Sequence, residues 1–322
     1  MNLQRLRIQN FKSLVDLKII NPNPFTVFVG PNAAGKSNIF EALEFLNYTI
    51  MGSPTLKIFD EKTIRNINDD QNKISFAGTI SDEGFSIVSE NINVVVSENI
   101  LSFLTQNKSE NPNLNNFING FSRIFIKNAE LEKFNYKNDK RLSISAKNLE
   151  QVLKRILKEE NTKEEFLEWI QLFIPEFENI EIHTDSISGD DNFLIYEKHS
   201  KNPFKKSLIS DGTYNILALL TAVFQSDEPQ FLCIEEPENG LNPYVVKELV
   251  HFFRTACKEK GHYIWLNTHS QTLISQLKPE ELIIVEKIKG ATQIKQLQGF
   301  DLHGLSLDEA WLSGALGGGT PW

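Results

Sequence analysis

The sequence is poor in cysteine, lacks any long apolar run and carries no excess of positive charge, and each shortage removes a class of protein. Its two cysteines, Cys233 and Cys257, are too few for a disulfide framework or a four-thiolate zinc site. They read as core thiols in a reducing compartment. The longest uninterrupted apolar run, Ile216 to Leu220, falls far short of the ~20 residues that span a bilayer, so no membrane partner is expected. Met1-Asn2-Leu3-Gln4-Arg5 enters an alternating pattern without the charged segment, apolar stretch and small-residue site of a signal peptide, and a cytoplasmic location is expected. Lys and Arg number 33 against 42 Asp and Glu, a formal charge of −9. That balance argues against a protein that coats DNA unaided, because phosphate binding rests on cationic side chains, and leaves room only for a local nucleic-acid contact. At 322 residues, the chain has the length of one large α/β domain or of two lobes with a sizeable core.

Along the chain the apolar period changes. Leu3, Leu6 and Ile8, then Leu14, Leu17 and Ile19, alternate in short segments broken at 10–13 and at Asn21-Pro22-Asn23-Pro24. Phe25 to Val29 is almost wholly apolar, as in a buried parallel strand. Ile39, Ala42, Leu43 and Leu46 recur at helical intervals and predict a helix from Ser37 to about Tyr48. Lys73 to Ile80 and Phe85 to Val96 are expected strands. Leu149, Val152, Leu153, Ile156 and Leu157 form a helical stripe, Thr162 with Glu165 fits a capping box opening a second helix, and 180–183 with 193–196 reads as a hairpin. From Ser210 onward helices at 213–224 and 243–259, with a short one after Ser270, alternate with strands at 231–234, 263–266 and 282–286. Such alternation implies a parallel sheet with covered faces. The expected organisation is the first half of a sheet domain at 1–97, an inserted second lobe at 98–200, the second half at 201–300 and a tail at 301–322.

Four motifs carry chemistry. Gly30-Pro31-Asn32-Ala33-Ala34-Gly35-Lys36-Ser37 matches G-x-x-x-x-G-K-S between a buried strand and a helix, where that motif has to sit. Small residues let successive backbone N–H groups turn toward a triphosphate at a helix N-terminus, Lys36 reaches the β- and γ-phosphates, and Ser37 offers its hydroxyl to Mg²⁺. With Asn38, these are the expected nucleotide-binding residues, and ATP and Mg²⁺ the expected cofactors. The strand Phe231-Leu232-Cys233-Ile234 ends in Glu235-Glu236-Pro237, the form of a Walker B element. Glu235 is expected to hold Mg²⁺ through water and Glu236 to orient or deprotonate the attacking water. Ile209-Ser210-Asp211-Gly212-Thr213 precedes a strongly apolar helix, and Thr268-His269-Ser270 follows a strand. Outside these motifs, Lys198, His199, Lys201, Lys205 and Lys206 surround Phe204; the stretch reads as a solvated loop or as a contact for nucleic acid or an acidic partner. The tail, with Trp311 and Trp322, is too apolar for a simple linker and is expected to dock on its own domain or insert into a partner.

Together, Ile8-Gln9-Asn10-Phe11-Lys12-Ser13, the run from Phe28 through Ala42, the segment at Ser210, Glu235 to Pro243 and His269 resemble the ABC-type ATPase heads of the SMC, RecF and OLD (overcoming lysogenization defect) group. More narrowly, they resemble small AAA-type ATPases of bacterial genomes that end in a Gly-rich tail. The resemblance covers nearly the whole chain and implies an α/β P-loop NTPase head with a mixed sheet and an inserted, mainly helical lobe. It implies a homodimer through an ATP sandwich, with Ser210 and Gly212 of one subunit presented to the γ-phosphate on the P-loop of the other. It makes Glu236, His269 and Lys36 the catalytic set, His269 as the switch histidine, and places 238–242 at the D-loop. Asp211 and Thr213 depart from the commoner S-G-G-Q, Asn242 stands where Asp or His is usual, and Glu235 where Asp is more frequent. Related heads carry a basic residue near the nucleotide where Lys12 stands, and a Q-loop glutamine for which Gln71 and Gln106 are the available sites. The implied function is an ATPase that couples its cycle to a separately encoded effector in DNA maintenance or anti-phage defence. The alternatives are an ATP-sensing scaffold with little turnover that holds a nuclease or toxin, and an ABC transporter subunit. No fused TOPRIM nuclease is expected in this length.

Overall fold

Residues 2–50, 73–81, 83–90, 93–96, 117, 119–126, 128–131, 139–187, 189–302 and 304–316 are described by the computed structural model. In chain order the strands and helices are β1 (Leu3–Phe11), β2 (Leu14–Ile20), β3 (Phe25–Val29), α1 (Lys36–Ile50), β4 (Ile74–Ile80), β5 (Glu83–Glu90), β6 (Asn93–Val96), β7 (Phe121–Ile124), α2 (Leu149–Ile156) and α3 (Glu160–Phe173). There follow β8 (Phe177–Thr184), β9 (Asp191–Glu197), β10 (Phe204–Lys205), α4 (Asp211–Phe224), β11 (Phe231–Glu235), α5 (Pro243–Glu259), β12 (Tyr263–Asn267), α6 (Gln271–Ile274), β13 (Leu282–Ile288), β14 (Ala291–Gln296) and α7 (Leu307–Leu312). They form two compact units, one of residues 1–123, 228–234 and 253–322, the other of 124–227 and 235–252. This division cuts the chain at other places than residues 97, 200 and 300, and α4 falls in the second unit.

The first unit holds two sheets. One, in the order β2-β1-β4-β5-β6, is antiparallel throughout. The other, in the order β14-β13-β3-β12-β11-β7, is mixed: β12 and β13 flank β3 in parallel, and β14 closes the edge antiparallel to β13. Every residue of β3 is buried, as its unbroken apolar run requires of a strand covered on both faces. Ile39, Phe40, Leu43 and Leu46 of α1 share one core with Leu6, Ile8 and Phe76 of the first sheet and Phe28, Phe231 and Trp265 of the second. Gln296 of β14 ties the sheets by donating to the Ile20 carbonyl at 2.8 Å and accepting from its N–H at 2.9 Å. The tail docks within this unit. Trp311 is 9% exposed and Leu316 1%, and α7 packs against α6. Trp322, Gln71 and Gln106 lie outside the described residues.

The second unit is built on α4, buried from Tyr214 to Phe224 because it is apolar on every face. Phe224 packs edge-on against Phe166 of α3 at 5.7 Å and stacks on Phe252 of α5 at 6.1 Å. A three-stranded sheet, β10-β9-β8, completes the unit.

Three local expectations change. The run Phe85 to Val96 is two antiparallel strands, with Glu90 opposite Asn93. Helix α3 starts at Glu160, two residues before Thr162, with Lys163 N–H already bonded to the Glu159 carbonyl at 2.8 Å; acidic Glu160 suits the positive end of the helix dipole. Strand β14 was not expected. Its signal is Lys289-Gly290, a two-residue turn with both φ positive (50° and 85°), the geometry that folds a tight hairpin.

Both cysteines are free thiols. Burial pushes the Cys257 thiol up to about 12, so at pH 8 its thiolate is scarce. Iodoacetamide at pH 8 should therefore label Cys257 on the order of a thousandfold more slowly in folded than in urea-unfolded protein. Peptide mass spectrometry over time checks this, and equal rates would contradict the burial of the thiol.

Candidate functional site

In the first unit the loop after β3 turns tightly over 30–35 and delivers the chain into α1 at Lys36. Ala33 is in the left-handed region (φ 60°) and Gly35 has φ 104°, the conformations that turn the chain tightly here. The loop sits hard against its support. A Cβ on Gly30 would lie 2.0 Å from the Val285 carbonyl oxygen of β13, and one on Gly35 2.1 Å from Thr292 Oγ1 of β14 and 2.8 Å from Ser13 Oγ. Lys36 is 7% exposed, and its ammonium donates to the carbonyls of Gly30 at 2.8 Å and Pro31 at 3.0 Å. It thus arches over the loop whose N–H groups would meet a phosphate. Ser37 is exposed, and its Oγ accepts from Asn267 Nδ2 at 3.4 Å. Asn38 turns away from the loop surface, donating to Ser13 Oγ at 2.7 Å.

The end of β12 reaches the same place. Its parallel register with β3, ending at Asn267 opposite Phe28, puts the following loop level with the start of the P-loop. Thr268 is fully buried; its N–H donates to the Phe28 carbonyl at 3.2 Å, and its Oγ1 accepts from Ser270 N–H at 2.9 Å. That anchorage leaves His269 exposed beyond the strand end. Lys12 is φ-positive (49°) and its ammonium lies 2.5 Å from Glu41 Oε2, so it clamps the β1–β2 turn to α1. Arg123 and Glu44, 3% and 8% exposed at the side chain, form a buried pair at 3.0 Å beneath the same helix.

The second unit carries Ser210, Gly212, Glu235 and Glu236. Ser210 caps α4, its Oγ accepting from Thr213 N–H at 3.0 Å and lying 2.9 Å from Thr213 Oγ1. The threonine that departs from S-G-G-Q therefore supports the serine. Ser210→Ala should cost about 1 kcal/mol through the lost cap, read as a lower chemical-denaturation midpoint; an unchanged midpoint would mean that the cap carries no load. Gly212 is required by close approach: a Cβ there would lie 2.6 Å from the Gly240 carbonyl oxygen. The next turn of α4 grips the same loop, with Asn215 Nδ2 donating to the Asn239 carbonyl. Asn239 in turn holds Glu236, its Nδ2 donating to Oε2 at 2.8 Å and its N–H to the Glu236 carbonyl at 3.1 Å. Glu236 sits at φ 48°, an uncommon conformation for a non-glycine residue, while Glu235 at the end of β11 is 3% exposed. Asn242, in place of an acid, caps α5 by accepting from Val245 N–H at 3.0 Å. A cleft of about 390 Å³ opens beside Ser210 and Asp211, lined also by Ser145, Lys147, Lys206 and Tyr214.

Much of the basic stretch is committed within its own unit. Lys198 donates to the Pro175 carbonyl at 2.5 Å, and Lys206 pairs with Glu150 at 2.6 Å while lying 5.1 Å from the Tyr214 ring centroid. Burial, with Glu150 adding to it, pushes the Tyr214 phenol well above its ordinary value, and its hydroxyl donates to the Ala146 carbonyl at 2.9 Å.

The expected residues thus fall into two sets, Gly30 to Asn38 with His269 in one unit and Ser210, Gly212, Glu235 and Glu236 in the other. Sequence reasoning missed Asn267, Thr292 and Asn215 as participants. Asn267 directly precedes Thr268-His269 and was within reach of inspection; the others are reached only through folding.

A mixed sheet whose central strand feeds a P-loop, joined in one chain with a serine-capped signature helix and a Glu-Glu strand end, defines an ABC-type ATPase head of the SMC/RecF kind. The chain belongs to the family described as "AAA domain, putative AbiEii toxin, Type IV TA system", whose model matches residues 25–275. It is 25% identical over 330 residues to an ATP/GTP phosphatase of Helicobacter pylori, covering 85% of this chain and 87% of that protein. A stretch of 44 residues, 14% of this chain, is 46% identical to 4% of the chromosome partition protein Smc of Methanocaldococcus jannaschii. Among solved structures, an SMC head bound to the C-terminal winged-helix domain of ScpA superposes with a TM-score of 0.55 at 16% identity, over 96% of this chain and 99% of that one.

Proposed function

We propose that the protein hydrolyses ATP with Mg²⁺ and that two copies close face to face on two nucleotides, each P-loop completed by Ser210 and Gly212 of the other copy. The observation that carries this reading is the second helix N-terminus. The chain offers one phosphate-facing helix end at Lys36 and another at Ser210, exposed, serine-capped and packed through Asn215 and Gly212 on the loop that holds Glu236. Two complementary half-sites on one chain are what a two-fold sandwich uses.

The residues fit the cofactors. The backbone of 30–35 presents N–H groups, Lys36 is the cation, and the exposed Ser37 hydroxyl would be a metal ligand, the role proposed also for the Glu235 carboxylate. Among the described residues no group of three or more His, Cys, Asp or Glu is placed to hold a metal by itself. Mg²⁺, when bound, supplies charge neutralisation on the β- and γ-phosphates. Glu236 orients and deprotonates water, and His269, beyond the end of β12, contacts the γ-phosphate. Coupling to a separately encoded effector is supported by the SMC head solved with ScpA, and a role in anti-phage defence by the toxin–antitoxin wording of the family's description.

The test is a mixing experiment. Lys36→Ala and Ser210→Arg are each expected to be inactive. Mixed together, they should regain part of the ATPase, since one composite site of the mixed dimer joins an intact P-loop to an intact Ser210. Absence of any recovery, with both variants folded, would overturn the sandwich. Purification with the product of the neighbouring gene, comparing stoichiometry and rate, tests the coupling.

A further inference from the structure

Behind the P-loop lies a chain of hydroxyls from three distant parts of the sequence. Asn38 Nδ2 donates to Ser13 Oγ at 2.7 Å, Ser13 Oγ lies 2.6 Å from Thr292 Oγ1, and Thr292 Oγ1 donates to the Ala34 carbonyl at 2.8 Å. The proton positions follow from counting. Thr292 has one hydroxyl proton, committed to Ala34, so the proton between the two hydroxyls belongs to Ser13. The relay therefore runs one way, from Asn38 through Ser13 and Thr292 to the backbone of the loop. A second bond, from Thr292 N–H to the Ser13 carbonyl at 2.7 Å, fixes the two turns to each other. Thr292 is 4% exposed and Ala34 1%, so water does not compete for the bond between them.

We infer that Thr292 and Ser13 are positioning residues for nucleotide binding, setting the peptide plane between Ala34 and Gly35. This rests on the reading that 30–37 cradles the phosphates. In a trans peptide the C=O and the following N–H point in opposite directions. Holding the Ala34 carbonyl inward on Thr292 directs the Gly35 N–H away from Thr292, toward the outer surface of the loop. Gly35 can rotate freely, and with φ at 104° nothing in its own side chain resists a flip. Without the Thr292 hydroxyl, a flipped plane would turn a carbonyl toward a phosphate in place of a donor. The Phe11-Lys12-Ser13 segment and the β13–β14 hairpin thereby gain a role at the nucleotide site.

The test measures ATP and ADP affinity by titration of Thr292→Val, which keeps shape and removes the hydroxyl, against Thr292→Ser, which keeps the hydroxyl, with Lys36→Ala alongside. Thr292→Val should bind both nucleotides about five- to tenfold more weakly, raising KM and leaving kcat at saturation unchanged, while Thr292→Ser stays within about twofold of the parent. Ser13→Ala, which leaves the bond to Ala34 but removes its neighbour, should fall between and serves if Thr292→Val does not fold. Wild-type affinity in Thr292→Val or Ser13→Ala, with Lys36→Ala impaired, overturns the positioning role alone. Equal weakening in Thr292→Ser and Thr292→Val also overturns it, since packing and not the hydroxyl would then matter. Undiminished binding in Lys36→Ala removes the reading of the loop itself, and this inference with it.

Discussion

Glu236→Gln is expected to bind ATP as the parent does, to lose turnover by about 10²- to 10⁴-fold and to accumulate as a nucleotide-bound dimer. The amide occupies the same volume and still offers Asn239 an oxygen in place of the carboxylate oxygen at 2.8 Å, so the loop should stay as it is. What disappears is the carboxylate oxygen proposed to accept a proton from water. The left-handed backbone at Glu236, held by Asn239 through side chain and main chain, is strain of the kind retained at working sites, because the surrounding loop over-determines it. Single-turnover phosphate release and light scattering in ATP read the two halves of the expectation. Undiminished turnover would move the base to another residue, and slow turnover by a monomer would separate the chemistry from dimerisation.

Gly35→Ala is expected to damage both folding and binding, by about 2–5 kcal/mol in stability and with loss of measurable ATP affinity. A methyl group would be placed 2.1 Å from Thr292 Oγ1 and 2.8 Å from Ser13 Oγ, on a backbone at φ 104° that an L-residue with a Cβ rarely adopts. Both atoms belong to short side chains held in the relay, so neither can swing aside. Relief has to come from moving the loop, which displaces the N–H groups that follow. Denaturant unfolding and nucleotide titration measure the two losses. A variant as stable as the parent would show that the support beneath the loop yields more easily than its hydrogen bonds suggest.

These two predictions show where the sequence was legible. Glu236 and Gly35 stand out as candidates by pattern alone, since a Walker motif fixes residue type, spacing and the flanking strand or helix together. The parallel core strands, the apolar helix after Ser210 and the helix over 243–259 were equally readable, because long apolar periods are local signals, whereas the mixed character of the sheet came from the resemblance alone. Thr292 was not readable. It is an ordinary residue in a strand signalled only by a two-residue turn, and its partners Ser13 and Ala34 are distant in the chain. The departures Thr213 and Asn242, unexplained as letters, acquire reasons as neighbours: one steadies the Ser210 hydroxyl and the other caps α5.

The sheet order also governs how the protein is made. Strand β3, which launches the P-loop, takes its parallel neighbours from Ile264 to Asn267 and from Leu282 to Ile284, so both are made long after it. Pairing across such a separation is slow, because the loop must close before the contacts return anything. Strand β3 therefore waits, apolar and unpaired, until residues 264–284 have left the ribosome. A nascent chain interrupted before residue 264 carries the P-loop, the Ser210 segment and Glu235-Glu236 in its sequence but lacks both strands that pair with β3.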